Sequence, residues 1–181
     1  MEATLDNKTN VLNAQIRTVH DNTLLYTLRT TFGYFGRKDT VLLDENPVSG
    51  AAAVVGAIHW QEKSIEIFGH RKSCSELKRR SGRFYNRTRH WRWAPDRKEY
   101  EVVYDREEWK ATLDHNMCIA GRFAISFRPH IFSKTQPPLV HLTARALEED
   151  EIFLILVFIY NEVRRQEKTN SSRLDASDRA W

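Results

Sequence analysis

The residues best suited to chemistry are cations concentrated in one stretch of the chain. Between Arg71 and Lys98 there are eleven lysines or arginines and two acids, a net charge of +9. The whole chain carries +4, so the remaining residues sum to −5. Basic side chains at this density bind phosphate by charge, and arginine often does so through two parallel hydrogen bonds. The residues assigned to this candidate anion site are Arg79, Arg80, Arg83, Arg87, Arg89, Arg92, Arg97 and Lys98.

Aromatic residues are interleaved with these cations at Phe84, Tyr85, Trp91 and Trp93. Such rings stack on unpaired bases or lie at a membrane interface. A structural interpretation competes with both. Trp91 and Trp93 are two residues apart, so in a strand both would point into the core. We therefore expect both tryptophans to lie in the core. The role of the arginines, ligand binding or simple solvation, stays open.

Metal and nucleophilic sites have little support in the sequence. The seven histidines are scattered, and no cysteine pair joins them, which argues against zinc. His59 lies in an apolar segment and is interpreted as a core histidine. Cations around Cys74 would lower its thiol pKa and make it reactive, but an ordinary thiol is the simpler interpretation. The chain lacks a glycine-rich phosphate loop, a serine nucleophile elbow and a zinc-binding helix motif. We therefore expect a protein that is not an enzyme and uses no cofactor or metal.

The termini and cysteines suggest a location and a domain plan. Residues 1–10 are polar and show no secretory signal. The two cysteines do not resemble a disulfide framework, which is typical of a reducing compartment. We expect a cytoplasmic or nuclear protein that is not secreted. Residues 1–10 are predicted to be a flexible arm, 11–168 a single domain, and 169–181 a disordered polar tail.

Short segments of alternating polar and apolar residues run through most of the chain. Residues 23–30 place Leu24, Tyr26 and Leu28 on one face, and residues 118–127 alternate in the same way, with Ile119 and Phe123 on one face. Such segments recur every eight to twelve residues, which indicates an all-β sandwich or barrel of about eleven strands.

One segment breaks this pattern with nine consecutive apolar residues, from Ile152 to Tyr160. As a helix it would be roughly 14 Å long, and the hydrocarbon core of a bilayer is about 30 Å thick, so it is too short to span. Because it is apolar on every side, it must be buried all round. A closed antiparallel barrel of about 11–12 strands accommodates such a helix on its axis, whereas a sandwich does not. The predicted core positions of the helix are Ile152, Phe153, Leu154, Ile155, Leu156, Val157, Phe158 and Ile159.

Several motifs across residues 11–168 carry a resemblance to a known superfamily. They are Asp21-Asn22-Thr23 before Tyr26, Ala57-Ile58-His59-Trp60, Ile65 to Gly69, Arg83-Phe84, Trp91-Arg92-Trp93 and Asn161-Glu162-Val163-Arg164-Arg165. The chain resembles the tubby C-terminal-like fold, shared by tubby proteins, phospholipid scramblases and plant LURP-one-related proteins. Within that superfamily it is most similar to a family of unknown function common in mushroom-forming fungi. These motifs are structural rather than catalytic.

The resemblance implies a barrel of about twelve strands around a hydrophobic C-terminal helix. In tubby proteins a basic face of the barrel binds phosphoinositide headgroups. We therefore expect a non-enzymatic module that engages anionic phospholipid through the basic segment. Nucleic acid and an acidic protein partner are the alternative ligands of the same face. Scramblase-like transport is not predicted, because the apolar run is too short to cross a bilayer.

Overall fold

The computed structural model describes residues 1–7, 10–34, 36–47, 50–81, 88–113, 118–125 and 136–177, the last seven by backbone alone. These residues form thirteen strands and three helices. The strands are β1 (Glu2–Leu5), β2 (Gln15–Thr18), β3 (Leu24–Gly33), β4 (Gly36–Asp44), β5 (Ala53–His59), β6 (Ser64–Ile67), β7 (His70–Ser73), β8 (Lys78–Ser81), β9 (Thr88–Arg92), β10 (Glu99–Asp105), β11 (Glu108–Leu113), β12 (Ile119–Ala124) and β13 (Leu139–Leu142). The helices are α1 (Cys74–Leu77), α2 (Ala144–Glu149) and α3 (Glu151–Ser177).

All these strands belong to one antiparallel sheet, ordered β7-β6-β5-β4-β3-β2-β1-β13-β12-β11-β10-β9-β8. The prediction of a mainly β protein with a C-terminal helix is confirmed. Two meanders meet where β1 pairs with β13, with Glu2 opposite His141. The outermost strands, β7 and β8, are consecutive in the chain and joined by α1. Among the described residues no backbone ladder joins them, so the sheet is open and the predicted closure of a barrel is not confirmed.

The apolar run lies in α3 and is enclosed on all sides. Residues 153–160 expose 6% of their surface or less, and Ile152 is partly buried against the same core. Burying a large apolar side chain stabilises a fold by about 1.5–3 kcal/mol, so this helix is a major source of the core's stability. Within the described residues, no helix is long and apolar enough to cross a membrane.

Two glycines let α3 approach the sheet closely. A Cβ atom at Gly56 would lie 2.7 Å from Leu156 Cδ1. A Cβ atom at Gly121 would lie 2.6 Å from Leu142 Cδ2 and 3.3 Å from Phe158 Cε2. A side chain at either position would force Leu156 or Leu142 to move.

Both ends of the chain differ from the prediction. Residues 1–10 were expected to be a flexible arm, but β1 lies between β2 and β13, with Ala3 and Leu5 fully buried. A four-residue strand is too short for alternation to be recognised. Instead of a disordered tail from residue 169, α3 continues to Ser177. Ion pairs between successive turns stabilise the polar part of the helix. In one of them Arg164 Nη1 lies 2.8 Å from Glu167 Oε2. Residues 178–181 lie outside the described residues.

Candidate anion-binding site at the C-terminal half of α3

The predicted anion-site residues separate according to the sheet face on which they lie. Arg80 in β8 is directly opposite Arg89 in β9. Alternate residues of a strand share a face, so Arg89 lies on the same face as Trp91. Trp91 is fully buried, and its ring meets that of Tyr160 in α3 at a centroid distance of 5.7 Å. Arg80 and Arg89 therefore lie on the face turned toward α3.

Arg79 and Arg92 lie on the opposite face of the same strands. Arg79 Nη2 donates to Glu99 Oε2 at 2.7 Å, and Glu99 is the cross-strand neighbour of Arg92. The hydrogen bond from Arg79 lowers the pKa of the Glu99 carboxyl, and the charge of Arg92 adds to this effect. A carboxylate thus balances these two arginines, away from α3.

Arg97 and Lys98 are held beside α2, near the start of α3. Lys98 Nζ lies 2.8 Å from Glu149 Oε2, and Arg97 Nη1 donates to the backbone oxygen of Glu149 at 2.9 Å. The hydrogen bond from Lys98 lowers the pKa of the Glu149 carboxyl. At about 1.5 Å per residue, the start of α3 is about 20 Å from Arg164. These two cations therefore lie far from the C-terminal half of the helix. The remaining two predicted residues, Arg83 and Arg87, lie outside the described residues.

Four cations form what we call the cationic cluster: Lys78, Arg80, Arg89 and Arg164. Burial lowers the pKa of Lys78, and the charges of the other three members lower it further. Burial and the charge of Arg80 lower the pKa of Arg89. Like charges directly opposite each other in a sheet are destabilising. The fold therefore holds an unfavourable concentration of positive charge here, which a bound anion would relieve.

A cavity of about 530 Å³ opens beside the cationic cluster. This volume suits a small-molecule headgroup, since ligand pockets commonly measure about 300–1,000 Å³. Aromatic rings from β10 and β11 form one wall, and cations from β9 and α3 form another. The lining includes Arg89, Tyr104, Trp109, Arg164, Arg165 and Lys168.

Glu162 fixes the α3 wall of this cavity. Its carboxylate is fully buried and accepts from Trp109 Nε1 at 2.9 Å. It also accepts from Arg165 Nε at 2.8 Å and from Arg165 Nη2 at 2.7 Å. A buried carboxylate is tolerated only with such partners, because its desolvation is costly. The Arg165 guanidinium, held in this way, lies 4.5 Å from the centroid of the Tyr104 ring.

Arg89 is positioned by a neutral group rather than by an acid. Its Nη1 donates to Asn161 Oδ1 at 3.0 Å. Asn161 is itself buried and donates from Nδ2 to the Val157 backbone oxygen at 2.8 Å. Because an amide orients the guanidinium without cancelling its charge, Arg89 retains its full attraction for an anion.

Sequence reasoning confined the site to residues 71–98 and missed the residues that α3 contributes. From the sequence, Arg164 and Arg165 are placed only in a structural motif after the apolar run, and Lys168 is assigned no role. The signal was present in the alternation of Asn161, Glu162 and these cations directly after nine apolar residues. A helix that leaves a core with polar residues of this kind places them at the rim of the core.

Other sequence candidates have structural explanations. His59 Nδ1 lies 2.6 Å from Asp39 Oδ1, and its Nε2 lies 3.1 Å from Glu66 Oε2, so both ring nitrogens have partners. Cys74 is buried, and burial raises the pKa of its thiol, which contradicts a reactive thiolate. Trp93 packs against Phe153 at 5.8 Å between ring centroids. Within the described part of the chain, no group of three or more His, Cys, Asp or Glu residues could hold a metal ion.

The repulsion within the cationic cluster predicts that Arg80→Gln stabilises the protein. Arg80 is exposed, and no carboxylate pairs with it among the described residues. Removing its charge weakens the electrostatic repulsion on Arg89 and Lys78. We therefore expect the free energy of unfolding to rise by roughly 0.5 kcal/mol. Urea denaturation at low ionic strength measures this rise, and added salt should abolish it by screening. Arg92→Gln is the control and should give no rise, because Arg92 lies beside Glu99. A destabilised Arg80→Gln variant would contradict the repulsion.

No protein-family model, no curated protein and no solved structure matches this chain. The resemblance to tubby-like proteins therefore remains an expectation drawn from sequence motifs. The functional conclusion has to come from the geometry of the cationic cluster and its cavity.

Proposed function

We propose that this chain is a non-enzymatic binding module that engages the phosphate groups of anionic phospholipids. The observation that carries the proposal is the convergence of cations from β9 and α3 on one cavity of about 530 Å³, beside which Lys78 and Arg80 of β8 complete the cationic cluster. Among the described residues lining that cavity, four are cations and none is an acid. Arginine forks match phosphate oxygens in charge and in geometry.

A phosphoinositide headgroup is the ligand that best fits these features. It presents several phosphates around one ring, and the cluster presents several cations around one cavity. The resemblance to tubby proteins points to the same ligand class. Anionic lipids are concentrated in the cytoplasmic leaflet, so the proposal assigns the module to the cytoplasmic side of membranes.

The proposal includes a tubby-like barrel around α3. Two observations support it. The open edges β7 and β8 are separated by only the four residues of α1, in which Cys74 and Leu77 are buried. Residues 153–160 of α3 each expose 6% of their surface or less. The two edges would then lie close together across α1 without a backbone ladder.

Wild-type protein and phospholipid vesicles test this function directly. We expect co-sedimentation with vesicles that contain phosphatidylinositol bisphosphate and none with neutral phosphatidylcholine vesicles. Each basic residue near an anionic surface contributes about 1 kcal/mol, so the four members of the cluster would strengthen binding by about three orders of magnitude. Binding should weaken steeply with salt, because exposed charges are screened beyond about 8 Å at physiological ionic strength. Failure to sediment with the phosphoinositide vesicles at low salt would refute the proposal.

The two alternative ligands receive less support from the geometry. Nucleic acid without sequence preference is bound through aromatic rings that stack on bases. Trp91 is fully buried and Trp93 is partly buried against Phe153, which restricts stacking on bases at both rings. Single-stranded RNA and an acidic peptide, added as competitors to vesicle-bound protein, distinguish the three ligands. Headgroup binding predicts displacement by soluble inositol phosphates at far lower concentrations than by either competitor.

A further inference from the structure

The β3–β4 hairpin carries exposed aromatic residues at its tip. Phe32 exposes 65% of its surface and Tyr34 exposes 97%. Residues 31–34 are all exposed, so both faces of the hairpin end project beyond the packed sheet. In a strand packed on a core, one of the two faces would be buried. Most of the surface of both aromatic side chains therefore faces outward.

This tip lies beside the basic end of α3. A second cavity, of about 520 Å³, separates the hairpin from α3. Arg164 lines both cavities, so the hairpin and the cationic cluster flank the same turn of the helix. Arg37 Nη1 donates to Glu167 Oε1 at 2.5 Å, and Arg164 Nη1 donates to Glu167 Oε2 at 2.8 Å. Arg37 lies opposite Phe32 in the ladder, so this network ties the tip of the hairpin to the helix that carries the proposed lipid site. The second cavity is lined by Phe32, Arg37, Trp60, Lys63, Arg164 and Glu167, among others.

We propose that the β3–β4 hairpin tip inserts into the interfacial layer of an anionic bilayer while the cationic cluster binds lipid headgroups. This inference rests on the proposed function and deepens it, because it assigns an orientation on the membrane. Aromatic residues concentrate at membrane interfaces, where an apolar ring and a polar group such as the Tyr34 hydroxyl both find favourable surroundings. The cations around the tip attract negative charge, so this surface is complementary to anionic lipid.

The charge distribution along α3 supports the same orientation. Glu148 and Glu149 are exposed near the start of the helix, about 20 Å from Arg164 at about 1.5 Å per residue. Lys98 and Arg97 offset these acids, whereas the cationic cluster lies at the end of α3 where the hairpin tip is. An anionic surface therefore attracts that end more strongly, and the hairpin would meet the bilayer first.

Removing the aromatic side chains at the tip tests the inference. We expect Phe32→Ala with Tyr34→Ala to bind phosphoinositide vesicles about tenfold more weakly, since two partly inserted side chains lose their apolar transfer free energy. Phe68→Ala is the matched control, because Phe68 is 67% exposed but lines a different cavity, near the start of α3. It should bind as wild type does. Unchanged binding of the double variant would overturn insertion.

A fluorescent probe at the tip separates insertion from headgroup binding. In a Cys118→Ser background, Tyr34→Cys carries an environment-sensitive dye, while Cys74 is buried and stays unlabelled. Anionic vesicles should shift the emission to the blue, whereas a soluble inositol phosphate should bind without any shift. The same dye on Phe68→Cys should not respond to vesicles. Vesicle binding without a shift at the tip overturns insertion and leaves headgroup binding intact, whereas a protein that binds no vesicle overturns both.

Discussion

Phe158→Ala is expected to lower the free energy of unfolding by about 3–5 kcal/mol. Phe158 exposes 1% of its surface, and its ring lies 6.0 Å from that of Phe123 in β12. Gly121, in the strand beneath it, has no side chain that could extend into the space that the ring leaves. The loss would be a large fraction of a typical stability of about 5–15 kcal/mol. Urea denaturation followed by tryptophan fluorescence measures it.

Two further variants serve as references for the stability loss of Phe158→Ala. Phe158→Leu keeps most of the apolar volume, so its cost should be clearly smaller than that of Phe158→Ala. Phe68→Ala removes the same side chain from an exposed position and should change stability by no more than about 0.5 kcal/mol. A loss below about 1 kcal/mol for Phe158→Ala would show that the sheet does not enclose α3 tightly.

Arg80→Glu combined with Arg164→Glu is expected to weaken binding to phosphoinositide vesicles about a thousandfold. The double variant changes the local charge by four units, and each unit near an anionic surface contributes about 1 kcal/mol. Both side chains are exposed, so the change should leave the fold intact. Vesicle sedimentation at low ionic strength measures the affinity, and thermal denaturation verifies folding.

A second double variant serves as the control for net charge. Arg92→Glu with Arg145→Glu makes the same change in net charge at two exposed positions. Arg92 lies on the sheet face that carries Glu99, and Arg145 lies in α2, so neither belongs to the cationic cluster. We expect only a small loss of affinity from this pair. An equal loss from both double variants would mean that binding follows overall charge, and it would refute a localised site.

The sequence revealed the β content and the buried helix because both leave periodic or continuous apolar patterns. It did not reveal local irregularities. Alternation predicted that Ile119 and Phe123 share a face, but the register between β11 and β12 shifts near Ile119. As a result, Ala120 and Gly121 are both buried, while Ile119 is only partly so. A shift of this kind depends on pairing with the neighbouring strand, which no single segment encodes.

The candidate site was only partly predictable for a related reason. Sequence proximity grouped Arg79 with Arg80, but alternation along β8 directs them to opposite faces. Arg89 and Arg164 line the same cavity although 75 positions of sequence separate them, and only the packing of α3 against the sheet brings them together. Charge density pointed to one strand pair of the candidate site, whereas the contribution of the helix required the tertiary structure.

The position of α3 in the chain has a consequence for biosynthesis. Translation proceeds from the N-terminus, so every strand of the described sheet leaves the ribosome before the helix that covers its inner face. Until then Leu28, Leu42 and Ile58, all buried in the finished protein, have no α3 to pack against. Pairing of β1 with β13 is also delayed, and such non-local pairing is slow and leaves chains prone to aggregation. The nascent chain is therefore a natural client for chaperones through most of its synthesis.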